Sequence, residues 1–120
     1  MSDTGDLYQL LAKAWCKETA YHQKWDERCP AFNQCCVTAL VVQDYLGGKI
    51  LWADMDNDDR HYWNLLPDGT CIDLTEEQFV FLGTRNPMGT TGRKANRKSL
   101  LRAKNLRYRY EVLLNRMSRR

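Results

Sequence analysis

No apolar run in this sequence is long enough to cross a membrane. The longest apolar stretch, residues 38–42, falls far short of the roughly 20 residues that a spanning helix needs. The chain also lacks internal repeats and low-complexity segments, and its 43% hydrophobic content argues against wholesale disorder. The first six residues are acidic and precede a helical pattern, which is not typical of a signal peptide. We therefore expect a cytoplasmic globular protein with no membrane partner.

The five cysteines lack the spacing of a disulfide framework or of a metal site. Their number is odd, and no two of them form a CxxC pair. A zinc site of cysteines with His61 is disfavoured, because no pair has the CxxC or HxxxH spacing that places two ligands on one metal. The sequence therefore predicts free thiols in a reducing compartment, no metal site and no cofactor.

Acidic residues are almost missing from the C-terminal end. Residues 1–92 contain 7 of the 18 basic side chains and 14 of the 15 acidic ones, whereas residues 93–120 contain 11 basic ones and a single acid, Glu111. Such an asymmetry is typical of a tail that docks on its own acidic body or binds an acidic partner. Nucleic-acid binding is disfavoured, because the tail carries an apolar stripe and no base-stacking module is present.

Helical periodicity is strongest in the middle of the chain. A helix from about Gln34 to Tyr45 is apolar on nearly every side and is predicted to be buried. Asn33 is the expected N-cap, and Gly47-Gly48 is a stop signal. A first amphipathic helix precedes it near the N-terminus, with apolar residues at helical spacing between Leu7 and Trp15.

Three strand-like runs follow the buried helix. Residues 49–53 have the composition of one strand, and residues 61–66 and 70–74 form a predicted hairpin around residues 67–69. Helices at both ends of a small antiparallel sheet indicate an α+β fold.

The basic tail is predicted to form a last helix. Its apolar stripe consists of Leu106, Tyr110, Leu113, Leu114 and Met117. This spacing predicts a helix that docks on a core, while Arg107, Arg109 and Arg116 lie off the stripe and are expected to face solvent or the acidic body. We therefore predict that residues 1–120 form a single domain, with the basic helical segment 93–120 packed on it.

Three side chains fit a nucleophile, a general base and a carboxylate that orients the base: Cys35, His61 and Asp73. Cys35 lies in the first turn of the apolar helix, where unpaired backbone N–H groups and the helix dipole favour a thiolate. Hairpin pairing centred on Pro67 places His61 and Asp73 at the same end of adjacent strands, and a four- or five-residue loop would shift the pairing slightly but keep both residues at that end. The alternative is that the cysteines are small buried hydrophobes and that His61 is structural. Because adjacent helical residues point roughly 100° apart, we expect only Cys35 to face a cleft and Cys36 to lie in the core.

The residues from 34 to 79 resemble the YunG-like family of small bacterial and phage proteins. The similarity covers residues 8–116 and is carried by Gln34-Cys35, the segments 37–45 and 47–48, His61-Tyr62-Trp63-Asn64, Leu66-Pro67-Asp68-Gly69, Ile72-Asp73-Leu74-Thr75 and Gln78-Phe79. Family members show Gly-Gln-Cys where this chain has Asn33-Gln34-Cys35. More distantly, the order Cys, His, Asp is similar to the transglutaminase-like branch of the papain-type cysteine enzymes. That resemblance implies a helix carrying Cys35 packed on a small antiparallel sheet carrying His61 and Asp73.

These patterns predict a cysteine-dependent amide hydrolase or acyltransferase, of peptidase, isopeptidase or deamidase type, acting on a protein or peptide. Cys35 would attack the carbonyl, His61 would act as base and then acid, and Asp73 would orient the imidazole. The Cys35 backbone N–H and the Gln34 side chain are the expected oxyanion donors. The alternative is a non-catalytic binding or regulatory module of the same fold, whose basic tail contacts an acidic partner.

Overall fold

The computed structural model describes residues 3–55, 59–89 and 91–118. In these residues helices surround a small antiparallel sheet, so the α+β architecture is confirmed. In chain order the elements are α1 (Asp3–Ala14), α2 (Cys35–Leu46), β1 (Lys49–Asp54), β2 (Arg60–Leu65), β3 (Cys71–Ile72), α3 (Glu77–Leu82), β4 (Arg93–Lys94), α4 (Arg97–Arg102) and α5 (Lys104–Ser118). No helix within these residues is both long and apolar enough to cross a membrane.

The four strands lie in the order β3-β2-β1-β4, and every neighbouring pair is antiparallel. β1 and β2 pair along their whole length, from Lys49 opposite Leu65 to Asp54 opposite Arg60. Helix α2 packs on these two central strands, and the Asn64 side chain of β2 donates a hydrogen bond to the Ala39 carbonyl of α2 at 3.0 Å. The sheet therefore holds β2, which carries His61, beside the helix that begins at Cys35.

Helix α2 is buried along most of its length, as its composition predicts. Residues 37–42 are all buried, and the helix ends at Leu46 before Gly47. Gly48 adopts a φ of +83°, and a Cβ at this position would lie 2.1 Å from the Leu65 carbonyl oxygen. Only glycine permits this close approach of the turn to β2, which confirms the predicted stop signal.

The predicted N-cap at Asn33 is wrong. Gln34 occupies the cap position, without a side-chain cap hydrogen bond, and the Asn33 amide donates instead to the Lys24 carbonyl at 3.0 Å. Asn33 has a φ of 63°, in the left-handed region that asparagine tolerates better than most residues other than glycine. The asparagine thus retains the backbone conformation for which a glycine would be best suited.

The hairpin between β2 and β3 is confirmed, with the slight shift in register that a longer loop was expected to give. Asn64 pairs with Ile72 and Leu65 with Cys71, so the pairing centres on Asp68 rather than on Pro67. The turn is closed by a hydrogen bond from Leu66 N–H to the Thr70 carbonyl at 2.8 Å. Because this turn is longer than the one assumed, His61 does not lie directly opposite Asp73.

The C-terminal helix α5 packs against α1 and α2. Leu106, Leu113 and Met117 are buried in the main core cluster. The expectation that Arg109 lies off the buried stripe, facing solvent or the acidic body, is wrong, because this residue is only 6% exposed and its hydrogen-bond partners are neutral. The buried face of α5 therefore runs through Arg109, and Tyr110 lies at its half-buried edge.

Candidate functional site

Cys35 is the first residue of α2 and lies at the wall of a cavity of about 440 Å³. Its side chain is half-buried and reaches the cavity. The N-terminal turn of a helix leaves backbone N–H groups without intrahelical partners, and its dipole favours a negative charge. This position can therefore support a thiolate that is exposed to a small ligand.

His61 and Asp73 form a buried pair beside this cysteine. Nε2 of His61 lies 2.6 Å from Oδ2 of Asp73, and both side chains are almost fully buried. The imidazole also packs near two aromatic rings, with ring-centroid distances of 4.7 Å to Phe79 and 6.1 Å to Trp63. These contacts fix the ring. Because the Asp73 carboxylate can only accept a hydrogen bond, the neutral imidazole that pairs with it has its proton on Nε2 and its lone pair on Nδ1.

The Asp73 carboxylate accepts hydrogen bonds from four groups. Besides His61, these are the Thr75 backbone N–H at 3.0 Å, the Thr75 hydroxyl at 2.8 Å and the Asn86 amide at 3.0 Å. A buried carboxylate needs such partners, since its oxygens otherwise lose their hydration without replacement. Both carboxylate oxygens of Asp73 are therefore hydrogen-bonded. The residue directly follows the short strand β3, whereas the sequence predicted it within a strand.

The electrostatic balance favours a protonated His61. Burial works against the imidazolium, but the hydrogen bond to Asp73 and the interaction with the Cys35 thiol outweigh it and raise the pKa of His61 to about 9. Nδ1 of His61 has no hydrogen bond of ordinary geometry with a described residue. Since Asp73 occupies Nε2, Nδ1 is the nitrogen left to exchange a proton with the Cys35 thiol.

Cys36 also borders the cavity, so the expectation that only one of the two cysteines faces it is wrong. Burial, followed by the neighbouring Cys35, raises the pKa of the Cys36 thiol well above its ordinary value. A raised thiol pKa lowers the population of thiolate, which is the reactive form. The two adjacent cysteines thus line one cavity in different electrostatic surroundings.

Gln34, the predicted oxyanion donor, is fully buried, and its amide nitrogen donates to the Cys16 carbonyl at 3.1 Å. Gln78 was not predicted from the sequence, but its side chain lines the cavity. The Gln78 amide donates to the Thr75 hydroxyl at 3.0 Å, and that hydroxyl donates to Asp73. An amide has two N–H groups, so one of them is left for the cavity.

Arg109 is a second residue of the cavity wall that sequence reasoning missed. Its position was nevertheless detectable, because residues 106, 109, 113 and 117 recur at helical spacing and are all buried. Asn86 was also missed, since it lies in a loop 13 residues after Asp73 and no sequence periodicity marks it.

No group of three histidine, cysteine or acidic side chains among the described residues is arranged to hold a metal ion. All five cysteines are free thiols.

The family model described as "YunG protein" matches residues 3–120 of the chain. A protein of Bacillus subtilis (strain 168) described as "Uncharacterized protein YunG" is 40% identical over 70 residues. This alignment covers 58% of the present chain and 57% of the Bacillus protein, so the chain spans little more than half the length of that relative. No solved structure matches the chain significantly.

Proposed function

The chain belongs to the YunG family, and we propose that it is a cysteine-dependent amide hydrolase or acyltransferase. The observation that carries this proposal is the buried His61–Asp73 pair, at 2.6 Å, beside a cysteine that opens a helix and lines a cavity. A nucleophile, a base and an orienting carboxylate are the parts that this chemistry requires. Their order and their placement on a helix and a small antiparallel sheet also support a papain- or transglutaminase-like relationship.

In the proposed reaction, the Cys35 thiolate is the nucleophile and His61 holds a proton on Nδ1; where His61 is neutral, it takes this proton from the Cys35 thiol. The thiolate attacks the carbonyl carbon of an amide, and the resulting C–S bond gives a tetrahedral oxyanion. The C–N bond then breaks, and the amine leaves with the proton that the His61 imidazolium donates. Water or an acceptor amine, deprotonated by His61, attacks the thioester, and the C–S bond breaks to restore the thiol. The product is a carboxylic acid in hydrolysis or a new amide in transfer.

Two groups of the chain are suited to stabilise the oxyanion. The Cys35 backbone N–H lies in the first turn of α2, where donors have no intrahelical partner. Gln78 lines the cavity and has a second amide N–H, whereas the amide nitrogen of Gln34 is bonded to the Cys16 carbonyl. We therefore assign the side-chain role to Gln78 ahead of Gln34.

The proposed substrate is a peptide or protein amide, and the proposed location is the cytoplasm. The free cysteines support this location, because thiols remain reduced there. No resident cofactor is needed for the steps above, since each proton and electron pair moves between the substrate, Cys35, His61 and water.

Alkylation of Cys35 by iodoacetamide at neutral pH tests the proposal. A free thiol is only a few per cent thiolate near pH 7, so a Cys35 thiolate supported by His61 should react roughly tenfold or more faster than Cys16, a half-buried thiol outside the cavity. His61→Gln should abolish this advantage. The matched control is His22→Gln, which alters the exposed second histidine.

Mass spectrometry of the labelled peptides, sampled at short times, separates the cysteines. Labelling of Cys35 at the rate of Cys16, or equal labelling in the wild type and His61→Gln, would refute the enzyme proposal. Faster labelling of Cys36 than of Cys35 would assign the nucleophile to its neighbour.

A further inference from the structure

The cavity beside Cys35 contains a buried guanidinium that has no anionic partner in the described chain. Arg109 is 6% exposed and lines the cavity together with Cys35 and Cys36. None of the ion pairs among residues 3–55, 59–89 and 91–118 includes Arg109. A buried charge without a counterion is costly, and burial lowers the pKa of this guanidinium.

The partners of Arg109 among the described residues are neutral groups. Nε donates to Asn105 Oδ1 at 3.0 Å, and Nη1 contacts the Thr19 carbonyl at 3.5 Å. The Tyr21 ring lies 5.6 Å from the guanidinium carbon. A guanidinium has five N–H donors, so the Nη2 group is left without a hydrogen bond to any described residue.

The other charged residues of the wall are less suited to recognise an anion. Arg60 is exposed, and its guanidinium carbon stacks on the Trp52 ring at 4.0 Å. Asp59 is an exposed carboxylate. Arg109 is therefore the buried cation of this wall, and its electrostatic interaction reaches both Cys35 and Cys36.

We infer that Arg109 binds a carboxylate of the substrate, so that the cavity selects amides carrying a negative charge close to the carbonyl that Cys35 attacks. This inference rests on the proposed function and specifies its substrate class. A planar guanidinium fits a carboxylate through two parallel N–H···O bonds, which gives both charge and orientation. Its burial strengthens the attraction, because water and salt screen a buried pair less than an exposed one.

Two alkylating reagents of similar size but different charge test this inference. Iodoacetate carries a carboxylate, whereas iodoacetamide carries a neutral amide. The quantity measured is the ratio of the Cys35 alkylation rates by iodoacetate and iodoacetamide. Arg109→Gln should lower this ratio by about three- to tenfold, as expected for the loss of one partly screened charge interaction. Arg109→Lys keeps the charge but not the two parallel hydrogen bonds, so it should retain only part of the ratio. Arg107→Gln, at an exposed position of the same helix, should leave the ratio unchanged.

The ratio separates this inference from two simpler roles of Arg109. An arginine that only favours the Cys35 thiolate would change the rates of both reagents equally, and so would one that only supports the fold. An unchanged ratio in Arg109→Gln would therefore overturn the carboxylate site. The proposed function is judged separately, by comparing the absolute iodoacetamide rates of Cys35 and Cys16.

A measurement on the wild-type protein gives the same answer if the variants fail to fold. Glutaramate, with one amide and one carboxylate, should protect Cys35 from iodoacetamide at a several-fold lower concentration than glutaramide, which has two amides. Equal protection by both compounds, or protection by neither, would contradict carboxylate recognition by Arg109.

Discussion

Replacing Asp73 by Asn should flatten the pH dependence of stability around neutrality. The pKa of His61 is raised from 6.5 to about 9, because the Asp73 hydrogen bond and the Cys35 thiol outweigh the effect of burial. A histidine whose pKa is higher in the folded state binds more protons there than in the unfolded chain. Its stabilising contribution is therefore complete below pH 6.5 and is lost as the pH rises toward 9.

The magnitude follows from the difference between these two pKa values. One pKa unit corresponds to about 1.4 kcal/mol, so the full contribution is about 3 kcal/mol, of which about 2 kcal/mol should disappear between about pH 6 and pH 8. The raised pKa of the Cys36 thiol adds a loss of the same sign only above about pH 8.5. Restricting the measurement to the lower range excludes the titration of Cys36.

Urea unfolding, followed by the fluorescence of the four tryptophans, measures the free energy of unfolding at each pH. The wild type should lose stability from pH 6 to pH 8, whereas Asp73→Asn, in which burial dominates, should change little. The control is Asp68→Asn, which alters an exposed turn carboxylate that accepts a hydrogen bond from Thr70 N–H. The quantity compared between the variants is the change in the free energy of unfolding from pH 6 to pH 8, rather than its value at a single pH. Equal changes in the wild type and Asp73→Asn would show that Asp73 does not hold His61 protonated.

The elements that the sequence predicted well are those with strong local periodicity. The apolar run of α2 is buried as expected, and β1 and β2 lie in the two strand-like runs that begin near Lys49 and His61. The candidate triad could be proposed from residue type and order, because its members occur at the start of α2, in β2 and directly after β3. The register between β2 and β3 could not, since it depends on the turn length, and moving the centre of pairing from Pro67 to Asp68 shifts the partner of every residue by two positions.

The elements that were missed carry little periodic signal. β4 contains only two residues, both basic, and α4 contains six. Their positions depend on distant contacts, such as the pairing of Arg93 with Trp52. The Asn86 bond to Asp73 likewise joins a loop to a strand end. Such contacts follow from tertiary packing and leave no pattern within a short window of sequence.

The burial of Arg109 could not be predicted from its charge alone. An arginine in a basic helix is assigned to solvent by default, because charged side chains are seldom fully buried. Its spacing from Leu106 and Leu113 nevertheless places it on the buried face. A charged residue at an apolar position of a helical pattern is therefore better interpreted as a sign of a site than as an irregularity of the pattern.

Two further predictions concern how the tail is attached. Arg97→Met should lower the free energy of unfolding by about 1–3 kcal/mol, because Arg97 donates to the Leu40 carbonyl at 3.2 Å and to Asp44 at 2.7 Å. Urea unfolding measures this, and Lys98→Met at the neighbouring exposed position should change it by less than about 0.5 kcal/mol. Truncation after Arg102 should lower the melting temperature of the whole protein, with little dependence on salt.

The truncation removes the three buried apolar side chains of α5: Leu106, Leu113 and Met117. At about 1.5–3 kcal/mol each, their burial contributes roughly 5–9 kcal/mol, which is comparable with the total stability of a typical domain. Surface ion pairs contribute only about 0–1 kcal/mol each, so salt should matter little. A chain ending at Ser118 loses the last two arginines but keeps these side chains, and it should melt like the full chain. If the chain truncated after Arg102 also melted at that temperature, α5 would be an independent basic appendage, and binding of an acidic partner would become the better explanation of its charge.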